Sequence, residues 1–191
     1  LKNEKGREIA LQLIQSADIV LENFRPGTMA KLGLDYDSLK STHPRLIYCS
    51  LKGFLSGPYE NRVALDEVTQ MMGGLAYMTG LPNRPLRAGS SVIDITGGMF
   101  GVIAILSALH ERQTTEVGSH ITSALFETTA FLVGQHMAQY GVTGEPALPM
   151  PERVSAWAVY DVFSTLEDEK VFIGVVSDSQ WKTFCTDFKF D

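Results

Sequence analysis

The carboxylate of Asp94 has the surroundings that most favour chemistry. It follows the short apolar run Val92–Ile93, and it precedes Thr96, Gly97 and Gly98. A long apolar segment typical of a buried helix comes next. This order predicts that Asp94 lies at or just before a helix N-terminus, where free backbone N–H groups and the helix dipole favour an anion. The glycines allow another molecule to approach the backbone closely.

Two roles for Asp94 follow from this local pattern, and both remain open at this point. The simpler role is structural, because Asp is among the best residues for capping a helix. The second role is catalytic, and it depends on which other residues the fold brings to the same place.

A second candidate group, Asn23, Phe24 and Arg25, follows a short β-branched run at 18–22. A carboxamide, an aromatic ring and a cation at one point suit a nucleotide-like ligand, whose base stacks and whose phosphates attract cations. The same residue types occur in plain turns, so ligand binding and a simple turn both remain possible. Residues 52–54 follow the next buried-type strand and are expected close to this group.

The elements that position these residues alternate between helix and strand. Apolar periodicity predicts helices at 4–17, 28–34, 37–42, 66–78 (interrupted at 73–74), 96–113 and 121–140, a helix starting at 180, buried strands at 18–22 and 46–51, and a β-hairpin from 158–163 and 171–176. Such alternation is typical of an α/β fold: part of a doubly wound, Rossmann-like parallel sheet with long helices, leading into a smaller α+β domain. The proline-rich segment 144–153 is the predicted linker between domains at 1–143 and 154–191.

Composition excludes several classes of function. Hydrophobic residues make up 45% of the chain and charged residues 20%, and the net charge is −6. Without a dense basic block, we expect no nucleic-acid partner. The two cysteines and four histidines match no metal or redox spacing, so we expect no metal and a reducing, cytoplasmic location (mitochondrial in a eukaryote). The apolar stretch 99–109 is too short to span a bilayer, which predicts no membrane association.

Several segments resemble the class III CoA-transferases, the CaiB/BaiF family that includes formyl-CoA transferase and α-methylacyl-CoA racemase. The resemblance is carried, in family order, by ADIVLENFRPG at 17–27, MAKLGL at 29–34, PRLIYCS at 44–50, the pairs at 53–54 and 57–58, and DITGGM at 94–99 with its long helix. The chain starts without Met and ends just after a strand-like segment, so we expect it to be a central piece of a longer protein.

The resemblance implies a reaction and a set of residues. Asp94 stands at the position of the family's nucleophile, which attacks an acyl-CoA thioester to form a mixed anhydride and then an aspartyl-CoA thioester. N–H groups of the helix terminus are expected to stabilise the oxyanions. Asn23 and Phe24 match positions that contact coenzyme A, and Lys31 and Lys2 match basic residues near it, although solvated surface is an equal reading for both lysines. The implied partners are acyl-CoA, a small carboxylic acid and a second copy of the chain in an interlocked homodimer.

Two alternatives accompany this assignment. The family also contains acyl-CoA racemases, which pair the Asp with a His; here the matching position is Leu65, which cannot transfer a proton. Asp66 and Glu67, beside it, are further candidates for an assisting role. The other alternative is a chain that binds CoA without catalysis. The turn and helix after residue 115 depart from the family pattern. In place of the usual G-x-G and acidic residue, the chain has Glu116, Val117, Gly118 and Ser119, followed by Thr122.

Overall fold

The computed structural model of the protein describes residues 1, 3–153 and 155–190. Contacts divide the chain into two compact units, 1–151 and 152–191. The predicted domain limits and the linker at 144–153 stay predictions, since compactness does not show which part folds by itself.

The first unit is an α/β structure, as predicted. Its elements are α1 (Glu4–Gln15), β1 (Ile19–Glu22), α2 (Thr28–Leu32), α3 (Tyr36–Leu39), β2 (Ile47–Lys52), α4 (Asp66–Met72), α5 (Leu75–Thr79), α6 (Val92–Thr115), β3 (His120–Ala124), α7 (Leu125–Leu132) and α8 (Gly134–Thr143).

The three strands form one parallel sheet in the order β1-β2-β3. Glu22 lies opposite Ser50, and Lys52 lies opposite Ala124. All three strands therefore end at one edge of the sheet, which is the edge where ligands bind in open α/β folds.

Helices cover both faces of this sheet, as a doubly wound arrangement requires. On one face, Val20 of β1 and Tyr48 of β2 pack with Leu11 and Ile14 of α1 and with residues of α2 and α3. The other face carries α6, which contacts β2 and β3. Alternation of side chains along each strand sends one set to each helical layer.

Glycine brings α6 close to the sheet. A Cβ on Gly101 would lie 3.1 Å from Leu51 Cδ2 and 3.6 Å from Cys49 Sγ. One turn earlier, the Ser123 hydroxyl of β3 donates a 2.8 Å hydrogen bond to the carbonyl of Gly97. These contacts hold the first turns of α6, and Asp94 with them, against the ends of the strands.

Within the described residues, α6 is the one helix whose length and apolar composition would allow it to cross a bilayer. It extends to both sides of the 99–109 stretch on which the sequence argument relied. Gly101 packs on the sheet, and large apolar side chains of the helix, including Met99, Val102 and Leu106, are exposed.

The structure corrects two predicted elements. Residues 121–140 are not one helix: the segment starts as β3, continues directly into α7, and breaks at Val133 before α8. The helix after Asp94 was predicted to begin at 96, but α6 begins at Val92. Asp94 is therefore inside the first turn instead of before it.

The second unit contains the predicted hairpin. Strands β4 (Val159–Ser164) and β5 (Lys170–Val175) pair antiparallel, and helix α9 (Asp178–Phe188) follows. Ser177 caps α9 by accepting a hydrogen bond from the Gln180 N–H.

Gly118 offers a test of the packing that starts β3. A Cβ at this position would lie 2.0 Å from the carbonyl oxygen of Leu46, so Gly118→Ala must displace backbone and should lower the free energy of unfolding by about 1–3 kcal/mol. The matched control is Gly141→Ala in α8, where a Cβ meets no atom within 4 Å and should add about 0.5–1 kcal/mol. Denaturant titration of both variants measures the difference; equal midpoints would contradict this packing.

Candidate active site

A cavity of about 560 Å³ opens at the carboxyl edge of the parallel sheet. It combines the turn after β1, the end of β2, the loop before α4, the first turns of α6 and the β3–α7 junction. Its lining residues are Asn23–Pro26, Leu51–Gly53, Arg62–Leu65, Asp94, Gly97, Gly98, Ser123 and Leu125. Three residues predicted from sequence, Asn23, Phe24 and Asp94, are thus brought together in one cavity.

Asp94 occupies the third position of α6, and its carboxylate does not cap the helix. The structural role considered from sequence is therefore wrong for this residue. Gly97 and Gly98 follow it on the cavity wall, and a Cβ on Gly98 would meet nothing within 4 Å. The helix surface one turn from the carboxylate is consequently open to a ligand.

Another carboxylate caps α6. Asp66, the first residue of α4, accepts hydrogen bonds at Oδ2 from the N–H groups of Ile93 (2.7 Å) and Asp94 (3.1 Å). These N–H groups are occupied, so they do not provide the oxyanion contacts expected from the helix terminus. Glu67, the other acidic candidate, is exposed and lies 3.7 Å from Arg87 in an ion pair.

The electrostatic surroundings raise the pKa of Asp94. The first cause is partial burial of the carboxylate, and the second is the negative charge of Asp66; Arg87 acts in the opposite direction. A carboxylate whose pKa is raised is a better nucleophile than a fully solvated one, because its negative charge is less stabilised.

The turn that carries Asn23 and Phe24 is held by a buried ion pair. Lys52 Nζ donates to Glu22 Oε1 (2.6 Å) and to the carbonyl of Phe24 (3.2 Å), while Glu22 Oε2 accepts from the Phe24 N–H (2.9 Å). The Glu22 side chain is only 3% exposed. The last residues of two neighbouring strands thus fix the backbone at Phe24, and the Phe24 ring itself is about half exposed at the cavity.

Of the two predicted lysines, the structure describes Lys31, which is not part of this cavity. Lys31 lies in the last turn of α2, is exposed, and is absent from the residues lining the cavity. Lys2 lies outside the described residues. A contact of either lysine with coenzyme A stays a prediction.

Sequence reasoning identified two of the three cavity cations and missed the third. Arg25 was grouped with Asn23 and Phe24, and Lys52 was expected close to them because it ends a buried strand; both line the cavity. Arg62 was missed because it lies in a loop with no pattern of its own. It lines the same cavity, and its guanidinium lies 4.5 Å from the centre of the Tyr59 ring.

No group of three or more His, Cys, Asp or Glu side chains in the described ranges could hold a metal ion. The cavity instead combines one carboxylate, a carboxamide, an aromatic ring and three cations. Such a set can bind a phosphorylated, partly apolar ligand and place a nucleophile beside it.

Comparison with known sequences assigns the family. The profile of CoA-transferase family III matches residues 1–191, and the chain therefore belongs to this family, as the sequence motifs predicted. The match also agrees with the fold: the chain superposes on the crystal structure of a CaiB/BaiF family protein from Brucella suis with a TM-score of 0.86 and 37% identity, covering 98% of this chain and 50% of that one.

Two relatives show how far the similarity extends. An acyl-CoA transferase of Fusarium pseudograminearum is 39% identical over 189 residues, which is 96% of this chain and 41% of the relative. An acetyl-CoA:oxalate CoA-transferase of Acetobacter aceti is 36% identical over 188 residues, 97% of this chain and 48% of the relative. The chain thus spans less than half the length of these relatives.

The ion pair under Phe24 can be tested by removing its cation. Lys52→Met leaves the Glu22 carboxylate buried without its cation, so the free energy of unfolding should fall by about 3 kcal/mol, and the loosened turn should bind coenzyme A more weakly. The matched control is Lys40→Met, because Lys40 pairs with Asp37 at the exposed surface. Chemical denaturation and calorimetric titration with coenzyme A measure both effects; identical results for the two variants would refute a role for the pair.

The raised pKa of Asp94 predicts a pH-dependent cost to stability. Because folding raises this pKa, the ionised side chain destabilises the folded state above the folded-state pKa, and the cost vanishes below the ordinary pKa of aspartate. Asp94→Asn should therefore raise the melting temperature at neutral pH and lose that advantage in acid. Thermal melts of both proteins across this range test the sign. A gain that persists unchanged in acid would contradict it.

Proposed function

We propose that the chain carries the nucleophile and part of the coenzyme A site of an acyl-CoA:carboxylate CoA-transferase. The observation that supports this most directly is the shared cavity. Asp94, which is not the N-cap residue of α6 and is open to solvent, lies with Asn23 and Phe24 at the carboxyl edge of the sheet. Membership in CoA-transferase family III gives the class of reaction.

In the first half-reaction, Asp94 accepts the acyl group. A carboxylate oxygen of Asp94 attacks the thioester carbonyl of acyl-CoA, the C–S bond breaks, and CoA leaves as a thiolate. The product is a mixed anhydride. The thiolate then attacks Cγ of Asp94, the anhydride C–O bond breaks, the donor acid leaves as a carboxylate, and an aspartyl-CoA thioester remains.

In the second half-reaction, the acceptor acid reverses this order. Its carboxylate attacks Cγ of Asp94 and expels the CoA thiolate, forming a second anhydride. The thiolate attacks the acceptor's acyl carbon, and Asp94 leaves as a free carboxylate. No step transfers a proton, so the reaction needs no general base, in agreement with the residues that line the described cavity.

The residues around Asp94 are assigned to binding. The exposed Phe24 ring offers a stacking surface for adenine, and Asn23 offers hydrogen bonds beside it. Lys31 and Lys2 are proposed to approach the phosphates. Gly98 lets the thioester reach the nucleophile along the open surface of α6.

The acceptor is proposed to be a small dicarboxylic acid. Oxalate, named for the relative from Acetobacter aceti, is such an acid, and Arg25 and Arg62 line the cavity where a second carboxylate would need a cation. We further propose that the intact protein is a homodimer located in the cytoplasm, or in mitochondria of a eukaryote, acting without metal, membrane or nucleic acid.

Racemisation is the less favoured reaction at this site. Leu65 stands where a racemase would need its second acid or base, and it lines the cavity with 68% of its surface exposed. A racemase would release α-deuterium from a labelled 2-methylacyl-CoA, whereas the proposed enzyme would retain it and transfer CoA to an added acid.

Replacement of the nucleophile tests the proposal. In the intact protein, Asp94→Asn should reduce CoA exchange on the order of 10⁴-fold or more while leaving the affinity for coenzyme A within a few-fold. Glu111→Gln, at the exposed far end of the same helix, is the matched control and should retain full exchange. Isotope exchange between acyl-CoA and free acid provides the assay. Exchange that survives in Asp94→Asn would exclude the mechanism, and a wild type that binds coenzyme A without exchange would favour a non-catalytic chain.

The same mechanism can be followed by an isotopic label, without relying on a rate. When ¹⁸O-labelled acceptor acid is used, the anhydride places one of its oxygens on Asp94, where it stays after the acyl carbon leaves. By mass spectrometry, the peptide containing Asp94 should therefore gain one ¹⁸O after the first turnover and a second as further turnovers replace the remaining oxygen. An unlabelled peptide after many turnovers would indicate direct transfer between the two acids.

A further inference from the structure

We propose that Asp66 is a positioning residue for Asp94 in the exchange reaction, an inference that rests on the proposed function. From helix α4, the Asp66 carboxylate caps α6 and fixes the backbone that carries the nucleophile. The capping contacts are the N–H groups of Ile93 and of Asp94 itself, at 2.7 and 3.1 Å.

Buried hydrogen bonds through Gln70 hold the Asp66 carboxylate in place. Gln70, one turn further along α4 and fully buried, donates from Nε2 to Asp66 Oδ1 at 2.5 Å. Its Oε1 accepts the N–H of Ala88 at 2.8 Å, in the loop that leads into α6. The chain of contacts therefore ties α4 to both the entry loop and the first turn of α6.

The direction of every hydrogen bond in this chain is determined. Backbone N–H groups are donors only, so Gln70 must turn its oxygen toward Ala88 and its nitrogen toward Asp66. Residue 66 must then accept at both oxygens, toward Gln70 on one side and toward α6 on the other. An ionised carboxylate does this, and a carboxamide of the same shape does not.

The consequence for Asp94 is that its carboxylate is spared the capping role. An Asp in the first turn of a helix readily bonds to nearby free N–H groups, and a carboxylate held in that way would face the helix end. Asp66 occupies two of those N–H groups, and Asp94 lines the cavity. Asp66 thus caps the helix, and the Asp94 carboxylate remains available for the reaction.

Asp66 also acts on Asp94 through its charge. Around Asp94, Asp66 on α4 raises its pKa and Arg87 of the entry loop lowers it, while Arg25, Lys52 and Arg62 line the same cavity. Removal of the Asp66 charge would therefore move the pKa of Asp94 downward. Since protonated Asp94 cannot attack, the acid limb of the pH–rate profile would move to lower pH.

The test compares three variants of the intact protein. Asp66→Asn places an amide nitrogen against the Gln70 nitrogen or against the α6 N–H groups, and kcat should fall about 10- to 100-fold, the cost typical of a misplaced reacting group. The KM for acyl-CoA should stay within about two-fold, because the β1 turn is not touched. The acid limb of kcat should move to lower pH.

The second variant, Asp66→Asn with Gln70→Glu, restores a partner for every donor and moves the charge one helical turn away from Asp94. We expect kcat to recover to within about three-fold, since the capping geometry returns, while the acid limb stays at lower pH. The control is Thr69→Val, which removes a buried hydroxyl bonded only to carbonyls of the start of α4; it should lower the melting temperature without changing kcat or the acid limb.

Three outcomes decide the question. An unchanged kcat and an unchanged acid limb in Asp66→Asn would overturn the proposal. An equal loss of kcat in Thr69→Val would also overturn it, because the loss would then follow from lower stability and not from the position of Asp94. If Asp66→Asn does not fold, the double variant carries the test, and a wild-type acid limb there would overturn it. Asp94→Asn distinguishes failure of the proposed function from failure of this inference. If that variant retains exchange, Asp94 is not the nucleophile and the proposed function itself fails.

Discussion

The close packing of α6 on the parallel sheet is the constraint on which the site depends. Gly101 permits this approach, because a Cβ there would press on Leu51, and the Ser123 hydroxyl stabilises it by donating to the Gly97 carbonyl. The helix therefore starts at the level where the strands end. Asp94 in its first turn and the turn after β1 consequently face the same cavity, although they are far apart in sequence.

Two buried carboxylates stabilise opposite walls of that space by one device. Glu22 accepts the backbone N–H of Phe24, and Asp66 accepts that of Asp94, so each carboxylate holds a segment that carries a candidate site residue. Each carboxylate also accepts a hydrogen bond from a side chain. Lys52 of the adjacent strand donates to Glu22, and Gln70 of the same helix donates to Asp66. The side chains of Phe24 and Asp94 therefore do not take part in these hydrogen bonds, and the charges of Glu22 and Asp66 are shielded from solvent.

Much of this arrangement could be predicted from the sequence, and the failures have physical causes. The strands β1 and β2 and the hairpin β4–β5 are apolar runs bounded by turns, so periodicity identified them. Strand β3 was missed because its five residues include Thr122 and Ser123 and run into α7 without a turn residue, which lets helical periodicity dominate. Local sequence indicated that Asp94 lies near the start of a long helix, but it did not show which residue caps that helix. The cap, Asp66, lies 28 residues away in sequence, beyond the reach of any local pattern.

The division of the cavity wall has a consequence for how such a protein can diverge. Asp94 and the β1 turn are fixed by regular elements and by buried ion-pair or hydrogen-bond networks. The lining residues Arg62, Val63, Ala64 and Leu65 come instead from an irregular, largely exposed segment between β2 and α4. Loops tolerate replacement far better than elements do. Under the proposed function, substitutions in residues 55–65 can therefore change which acids are accepted while the position of Asp94 is retained.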